Sequence, residues 1–187
     1  MDNIEFINNV IWRLSNISVG ASALRNQGAP GIVEAARVYF REEIELDKFF
    51  IALSTSKGYR KYLDTHTSNL LETFPSKGKS WGAARKGLNL YFREIVYNKF
   101  ISDYYGMPKK MDRYNDAIAF LEVPLDKDVA TGIRRDAEEE LPKWISIRDL
   151  DKGISDVYQE AAMNIAKQEG VARIHLDLKY WRQKQLV

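Results

Sequence analysis

The most informative stretch of this chain lies near its end and reads Gly170-Val171-Ala172-Arg173-Ile174-His175-Leu176-Asp177-Leu178-Lys179-Tyr180-Trp181. One helix is predicted to end just before Gly170, and another is predicted over residues 174–184. Asp177 and Trp181 are four residues apart, so a helix would project both side chains from one face. A carboxylate beside a flat aromatic surface suits a pocket for a planar, hydrogen-bonding ring.

The rest of the chain also shows apolar residues at helical spacing. Glycine and proline interrupt that spacing at residues 28–31, 75–82, 106–110 and 141–142. We therefore predict an all-α fold, with helices at residues 3–16, 32–53, 83–104, 113–120, 126–135, 154–169 and 174–184 and one more ending near residue 71. No strand-like alternation extends beyond a few residues.

Length and composition predict one domain with a substantial core. The chain has 187 residues, of which 45% are hydrophobic and 12% aromatic, so it has enough apolar surface to bury. We expect a single domain over residues 1–187 with two candidate lobes and a central cleft. One candidate lobe consists of residues 1–74 and the C-terminal helices, and the other of residues 75–150.

The chain contains no cysteine and two histidines. This composition removes disulfides, thiolate zinc sites and cysteine-held iron–sulfur clusters, so we expect no metal and no cofactor. The first residues show no basic region before an apolar run, which predicts no secretory signal. No stretch approaches the roughly 18–20 apolar residues of a membrane span. A monomeric, cytoplasmic protein of a prokaryote is the expectation.

Charge is unevenly distributed, although the net charge is only +2. Residues 73–93 include no acidic residue but five basic ones, which are Lys77, Lys79, Arg85, Lys86 and Arg93. A basic stretch set among aromatic residues and glycines is compatible with contacts to a phosphate backbone. A solvated helix face next to a lysine-rich loop explains the same residues.

The helix around Lys86 has an apolar face and a polar face. The residues predicted to be buried are Ala84, Leu88, Tyr91 and Ile95. The polar residues recur at positions i, i+3 and i+7, and they are Lys86, Asn89 and Arg93. The positive end of the helix dipole disfavours an ammonium near the helix start, and a neutral amine is a nucleophile. Lys86 is therefore a candidate nucleophile, and a solvated lysine is the alternative.

Asp126 is the second acidic candidate after Asp177, and a proline lies two residues before it. In the sequence Pro124-Leu125-Asp126-Lys127-Asp128-Val129-Ala130, Pro124 favours an extended residue before it, so Asp126 lies where a helix N-cap belongs. A carboxylate that accepts backbone N–H groups stays ionised and fixed in direction. Asp126 is either a simple cap or a cap that also points negative charge into a cleft, and its spacing fits both.

These three segments together resemble the helix-hairpin-helix DNA glycosylase superfamily, and most closely its archaeal-type 8-oxoguanine glycosylase branch. The resemblance covers about residues 75–184 and follows the same order along the chain. Its motifs are Lys86-Gly87-Leu88-Asn89, the Pro124–Ala130 cap segment and the stretch from Gly170 to Trp181. It implies a two-lobed helical bundle with a central cleft, acting on double-stranded DNA that contains a damaged or modified base.

The resemblance also implies a role for each matching residue. Lys86 would attack the deoxyribose C1′ and form a Schiff base, and Asp126 would steer it and stabilise positive charge on the sugar. Asp177 would hydrogen-bond an edge of the extruded base, and Trp181 would stack on its face. Gln27 would read a base edge as well. The expected DNA contacts come from Lys77, Lys79, Trp81 and Arg85.

The chain departs from the superfamily pattern in two places. The usual hairpin sequence before the lysine is Leu-Pro-Gly-[Val/Ile]-Gly, and here the corresponding residues 77–82 match only at Gly82. Side chains of Lys77 and Lys79 could replace a hairpin that binds phosphate through its backbone. The separation of Lys86 and Asp126 is longer than usual, which predicts an insertion near residues 106–112. Both departures leave a different pocket and a different base open.

Two histidines and two tryptophans are predicted to have structural rather than catalytic roles. His66 is predicted to be structural or solvated, because no metal partner stands at ligand spacing. His175 is expected to hold the start of its helix rather than to perform acid–base work. Trp12 and Trp144 are predicted to pack in the core.

The first interpretation is therefore a DNA glycosylase, bifunctional with β-lyase activity, that excises an 8-oxoguanine-like purine without a cofactor. The same chemistry would serve antiviral defence by removing a modified base of phage DNA. A second interpretation is a DNA-binding module that recognises a lesion without cutting. A third is a small helical protein-interaction domain, which is favoured if the basic residues prove scattered in space.

Overall fold

A computed structural model describes residues 2–24 and 29–181, and this part of the chain is helical without any strand. The predicted all-α class is thus confirmed. The helices are α1 (Asn3–Ile17), α2 (Ala21–Leu24), α3 (Ile32–Glu42), α4 (Leu46–Ala52), α5 (Ser56–Thr73), α6 (Trp81–Tyr97), α7 (Lys99–Tyr104), α8 (Met111–Ala117), α9 (Lys127–Asp136), α10 (Lys152–Glu169) and α11 (Leu176–Tyr180). Short 3-10 turns cover Ser76–Gly78 and Arg173–His175.

Two of the predicted long helices are each divided in two. The helix predicted over residues 32–53 is interrupted between α3 and α4, where Glu45 is extended and the side chain of Ile44 is buried in the core. The helix predicted over residues 83–104 ends at Tyr97, because the Asn98 side chain accepts the backbone N–H groups of Phe100 and Ile101 and starts α7. Neither interruption contains glycine or proline.

A tight hairpin joins α5 to α6. Pro75 leads into the 3-10 turn, and Ser80 starts α6 by accepting the N–H of Ala83 at 3.3 Å. A Cβ added at Gly78 would overlap with the Ile32 side chain, so glycine permits the turn to lie directly on α3. The hairpin therefore fixes the start of α6 against the rest of the bundle.

The buried apolar residues form two clusters. The first cluster takes its residues from the segment 7–121 and from Ala172 and Ile174. The second cluster takes its residues from the segment 123–166 and from Leu176 and Tyr180, with Trp81 packed against it. This division differs from the predicted lobes, because residues 1–74 share one core with α6.

The last described helix is shorter than predicted. Within the segment predicted as one helix over residues 174–184, the described residues up to Trp181 form a 3-10 turn followed by α11, which ends at Tyr180, and Trp181 has extended backbone angles. Residues 182–184 lie outside the described part of the chain. α11 packs closely on α9, because Gly132 leaves room there for the Tyr180 ring. Across the described ranges, no helix combines the length and apolar character that crossing a membrane requires.

Candidate functional site

Helix α6 is buried on nearly all sides, including the side predicted to be polar. Its apolar positions 84, 88, 91 and 95 lie in the first cluster, as predicted. On its other side Lys86 and Asn89 are also buried, and the side chain of Arg93 is 18% exposed. Lys86 and Arg93 therefore face the segments of Asp126 and Asp177, and each cation needs a partner, because burying an unpaired charge is costly.

Lys86 and Asp126 form an ion pair where the two clusters meet. The Lys86 Nζ donates to Asp126 Oδ2 at 3.2 Å. The other oxygen of Asp126 accepts the backbone N–H groups of Asp128 and Val129 at 3.0 Å each, so Asp126 is the N-cap of α9 as predicted. The Lys86 side chain is 7% exposed and that of Asp126 is 26% exposed. The pair is thus sheltered, but it retains access to solvent through its carboxylate.

Asp177 is brought to the same place from α11. It is 5% exposed, and its Oδ2 accepts a hydrogen bond from Arg93 Nη1. Burial raises the pKa of Asp177; Arg93 opposes this rise, and the charges of Asp126 and Lys86 also act on Asp177. The segments of Lys86, Asp126 and Asp177, which are far apart in sequence, therefore converge.

We call Lys86, Arg93, Asp126 and Asp177 the seam cluster, since they lie between the two hydrophobic clusters. The two cations come from α6, and the two carboxylates come from α9 and α11. The described residues donate no hydrogen bond to Asp177 Oδ1 and accept one of the three protons of the Lys86 ammonium. The cluster thus has hydrogen-bonding capacity left for a ligand.

Of the other two predicted base-binding residues, Trp181 belongs to the described part of the chain and Gln27 does not. Trp181 follows α11, its backbone N–H donates to Asp177 O at 2.9 Å, and its side chain is 54% exposed. Trp181 is the C-cap of α11 and therefore stays within one helical turn of Asp177. Gln27 lies outside the described residues.

The prediction that Arg85 contacts DNA is wrong. Its guanidinium is buried, with Nε and Nη2 donating to Glu122 at 2.8 and 2.9 Å and Nη1 donating to Asp64 and Thr67. Burial opposes ionisation of Glu122, yet Arg85 prevails and holds its pKa below the usual range. A guanidinium with every edge engaged in this way is a core group, and no surface remains for phosphate.

The other predicted DNA contacts lie at or near the hairpin. Lys77 is exposed in the 3-10 turn, and Lys79 is exposed and paired with Glu72 at 2.5 Å. Trp81 is partly buried against the second cluster, with the Arg85 guanidinium 5.2 Å from its ring centre. The basic stretch is therefore dispersed: two lysines face solvent, while Arg85, Lys86 and Arg93 point inward.

Both histidines bridge other side chains. His66 Nδ1 is 2.7 Å from the Tyr39 hydroxyl. His175 contacts the Tyr97 hydroxyl through Nδ1 at 2.8 Å and Asn115 through Nε2 at 2.9 Å, and burial lowers its pKa. His175 is the N-cap residue of α11, without a capping hydrogen bond from its side chain, and its contacts tie the start of α11 to α6 and α8.

The two tryptophans that were predicted to pack in the core, Trp12 and Trp144, differ in their burial. Trp144 packs edge-to-face on Tyr158 with ring centres 5.8 Å apart, as expected for a core residue. Trp12 is 60% exposed on α1, so its predicted core position is wrong. Trp12 lies on the opposite face of α1 from the buried Ile7 and Leu14.

Residues 99–117 form the wall of a separate open groove. They include α7, α8 and the loop 105–110, where the longer separation of Lys86 and Asp126 predicted an insertion. The groove has a volume of about 930 Å³ and is lined mainly by apolar side chains, among them Met107, Met111 and Leu178. His175 and Leu178 line this groove, whereas Asp177 belongs to the seam cluster. The segment of α11 therefore lies between the two.

Sequence reasoning missed the partners of these charged groups. Arg93 was recognised as a polar position but given no role, and Glu94, which accepts from Arg93 Nε at 3.1 Å and Nη2 at 2.6 Å, was not singled out. Glu122 was also missed, although an acidic residue next to an apolar segment and Pro124 is a signal of a buried pair.

Comparison with other proteins adds no assignment: no family model matches the chain, and no match was found among curated proteins or solved structures.

Proposed function

We propose that this protein is a DNA glycosylase with β-lyase activity, in which Lys86 is the nucleophile and Asp126 its partner. The observation that supports the proposal most is the 3.2 Å contact between Lys86 Nζ and Asp126 Oδ2 at the junction of the two hydrophobic clusters. Asp177, from the third segment of the resemblance, lies close enough for its pKa to respond to both charges. The first-choice substrate is an 8-oxoguanine-like purine.

The arrangement suits attack on a sugar carbon. Lys86 must lose a proton before its nitrogen can bond to C1′, and Asp126 Oδ2 is the acceptor already hydrogen-bonded to it. As the new bond forms, the bond from C1′ to the base breaks and the base leaves with the electron pair. The departing base takes up the proton that Asp126 accepted, so Asp126 is a carboxylate again. Because two backbone N–H groups hold it in place, it stabilises the positive charge that develops on the sugar.

The covalent step leads on to strand cleavage. Opening of the sugar ring gives an iminium between Lys86 and C1′, and loss of a C2′ proton then expels the 3′ phosphate. The extruded base would meet Asp177 on its edge and Trp181 on its face. One aromatic stack contributes about 1–3 kcal/mol, which offsets the few kcal/mol that extrusion costs.

Borohydride trapping on duplexes that carry different modified bases, or a preformed abasic site, tests the proposal. Wild-type protein should give a covalent adduct that Lys86→Ala abolishes. Lys109→Ala is the matched control, because Lys109 is 86% exposed and pairs with Asp103, which is not part of the seam cluster. Absence of any adduct and any base release across the panel contradicts the glycosylase proposal. Base release that survives Lys86→Ala would show a monofunctional enzyme with water activated by Asp126.

The dispersal of the basic stretch favours a second candidate, a helical protein-interaction domain. With Arg85 sealed in the core and Lys79 paired to Glu72, few unpaired cations remain at the hairpin. Binding to a fluorescent duplex that contains an abasic-site analogue separates the two candidates. A glycosylase should bind this duplex more tightly than an undamaged one, with an affinity that falls as salt rises. Equal, salt-independent or absent binding favours the interaction domain.

A further inference from the structure

The proposed function leaves Arg93 and Glu94 unused, although they contact the seam cluster. Arg93 is one of the two cations that α6 directs between the hydrophobic clusters, seven residues from Lys86. Its Nη1 donates to Asp177, and its Nε and Nη2 donate to a single oxygen of Glu94. Glu94 thus holds one edge of the guanidinium and leaves the other edge directed at Asp177.

Asp177 needs such a partner if it is to remain a carboxylate. The group is 5% exposed, and burial favours its neutral form. The charged groups around it are Lys86 and Arg93 on α6 and Asp126 on α9, together with Glu94 behind Arg93. The negative charge of Asp126 adds to the effect of burial, so the cations have to counter both.

The protonation state of Asp177 decides which ring edge it can bind. An ionised carboxylate only accepts hydrogen bonds, whereas the neutral acid donates one and accepts another. A guanine-type edge presents two adjacent N–H donors, at N1 and the exocyclic amino group, and therefore pairs with the ionised form. An adenine-type edge presents one donor next to one acceptor and pairs with the neutral acid.

We propose that Arg93, oriented by Glu94, is a specificity-determining positioning residue that keeps Asp177 an acceptor-only group and so selects a base with two adjacent N–H donors. The selection rests on the proposed function, since it needs a base in the site, but the effect of Arg93 on Asp177 does not. Arg93 already uses Asp177 Oδ2, and Oδ1 receives no hydrogen bond from the described residues. A bound edge can therefore use Oδ1 while the ion pair persists.

The first experiment measures Asp177 without any catalysis. Carboxyl ¹³C NMR titration of wild type, Arg93→Gln and Arg93→Lys follows the protonation of Asp177, and Asp177→Asn identifies its signal. Loss of the guanidinium charge should raise the midpoint by about 1–3 pH units, the usual effect of one opposite charge nearby. Arg93→Lys, which keeps the charge, should recover most of the wild-type midpoint. An unchanged midpoint in Arg93→Gln overturns the proposal.

The second experiment measures selectivity in the same variants. Duplexes carry a guanine-type modified base, an adenine-type modified base or a preformed abasic site, and adducts are trapped with borohydride. Arg93→Gln should reduce the preference for the guanine-type base about tenfold, the factor that one pKa unit represents. The loss of adduct with the abasic site should be smaller, since that substrate has no base to read. Arg93→Lys should restore the preference.

Negative results in the two experiments contradict different proposals, either the selection by Arg93 or the glycosylase function. Equal loss of adduct on all three substrates makes Arg93 a structural residue and overturns the selection. No adduct from wild type on the abasic site contradicts the proposed function, while the NMR midpoint still decides whether Arg93 controls Asp177. Glu94→Gln serves as a graded variant: it keeps Arg93, weakens its orientation, and should move both readouts in the same direction by less than Arg93→Gln.

Discussion

Arg85 and Lys86 are neighbours on α6, and both pair with a carboxylate, yet their surroundings differ. Arg85 and Glu122 are each 2% exposed, and the guanidinium is saturated by Glu122, Asp64 and Thr67. Lys86 shares one hydrogen bond with Asp126, whose side chain is 26% exposed. A saturated, sealed pair can only hold the fold together, whereas an open pair with spare protons can also meet a ligand.

The comparison also shows two different uses of cations at adjacent positions of one helix. The 100° rotation between successive helix residues directs Arg85 toward α5 and Lys86 toward α9. The Arg85 side connects α5, α6 and the segment at Glu122, and the Lys86 side joins α6 to α9 and α11. One side of α6 thus carries a sealed pair, and an adjacent side carries an open one.

Breaking the sealed pair should have the largest effect. Arg85→Ala leaves Glu122 buried without its main partner, so unfolding free energy should fall by about 3–5 kcal/mol. Urea denaturation followed by circular dichroism measures the loss. The control is Lys79→Ala, which removes an exposed pair and should cost under about 1 kcal/mol. Similar losses in the two variants would mean that the Arg85 cluster is not a structural centre.

Packing behind the seam cluster should come next. Gly132→Ala places a Cβ against the Tyr180 ring, and this overpacking should destabilise the protein by about 1–3 kcal/mol and displace α11, which carries Asp177. Gly87→Ala on α6 is the matched control, because its nearest neighbour is Phe40 Cζ at 3.6 Å and alanine favours helix. Thermal unfolding compares them, and a harmless Gly132→Ala would show that α11 is free to shift.

The open pair should contribute less to stability. Lys86→Ala leaves Asp126 with its two backbone hydrogen bonds and its access to solvent, so the expected loss is about 1 kcal/mol in urea denaturation. Adduct formation should nevertheless disappear in the same variant. A loss as large as that of Arg85→Ala would remove the contrast between the two pairs.

The smallest expected effect is a pH dependence of the unfolding free energy that has opposite signs for Glu122 and Asp177. The folded-state pKa of Glu122 is lowered, so its contribution to stability is present above its unfolded pKa of about 4.3 and is lost as pH falls through the folded value. The pKa of Asp177 is raised, so its contribution is present below its unfolded pKa of about 3.9 and is lost as pH rises through the folded value.

Urea denaturation at a series of acidic pH values tests this difference with Glu122→Gln and Asp177→Asn. Relative to wild type, Glu122→Gln should become less stable as pH rises, and Asp177→Asn should become more stable as pH rises. Slopes of the same sign would contradict the assignment of opposite environments to the two sides of α6.

Local patterns explain what could be predicted from the sequence. The apolar spacing of α6 predicts its buried face, and the proline before Asp126 predicts the cap of α9, since both signals lie within one or two turns. Each of Lys86, Asp126 and Asp177 was singled out from its own segment, and the family resemblance implied that they act together. The structure brings the three residues close to one another. Whether they perform the implied chemistry stays a prediction.

Partners that are distant in sequence explain what was missed. Arg85 meets Glu122 across 37 residues, and Arg93 meets Asp177 across 84. No helical period can tell whether a cation will face solvent or find such a partner, so Arg85 was predicted to lie at the surface. The helix ends at Ile44 and Asn98 were missed for a related reason: burial and a side-chain cap stop these helices, without glycine or proline.

The return of Ala172 and Ile174 to the first hydrophobic cluster has a consequence for how the molecule forms. The chain leaves that cluster after Leu121, builds the second, and then crosses back before α11 begins. On a ribosome, about ninety further residues would therefore have to be added after Lys86 before Asp177 could reach it. The seam cluster is therefore one of the last parts of the molecule to form. Partially synthesised chains would contain Lys86 without all of the charged residues that surround it in the complete fold.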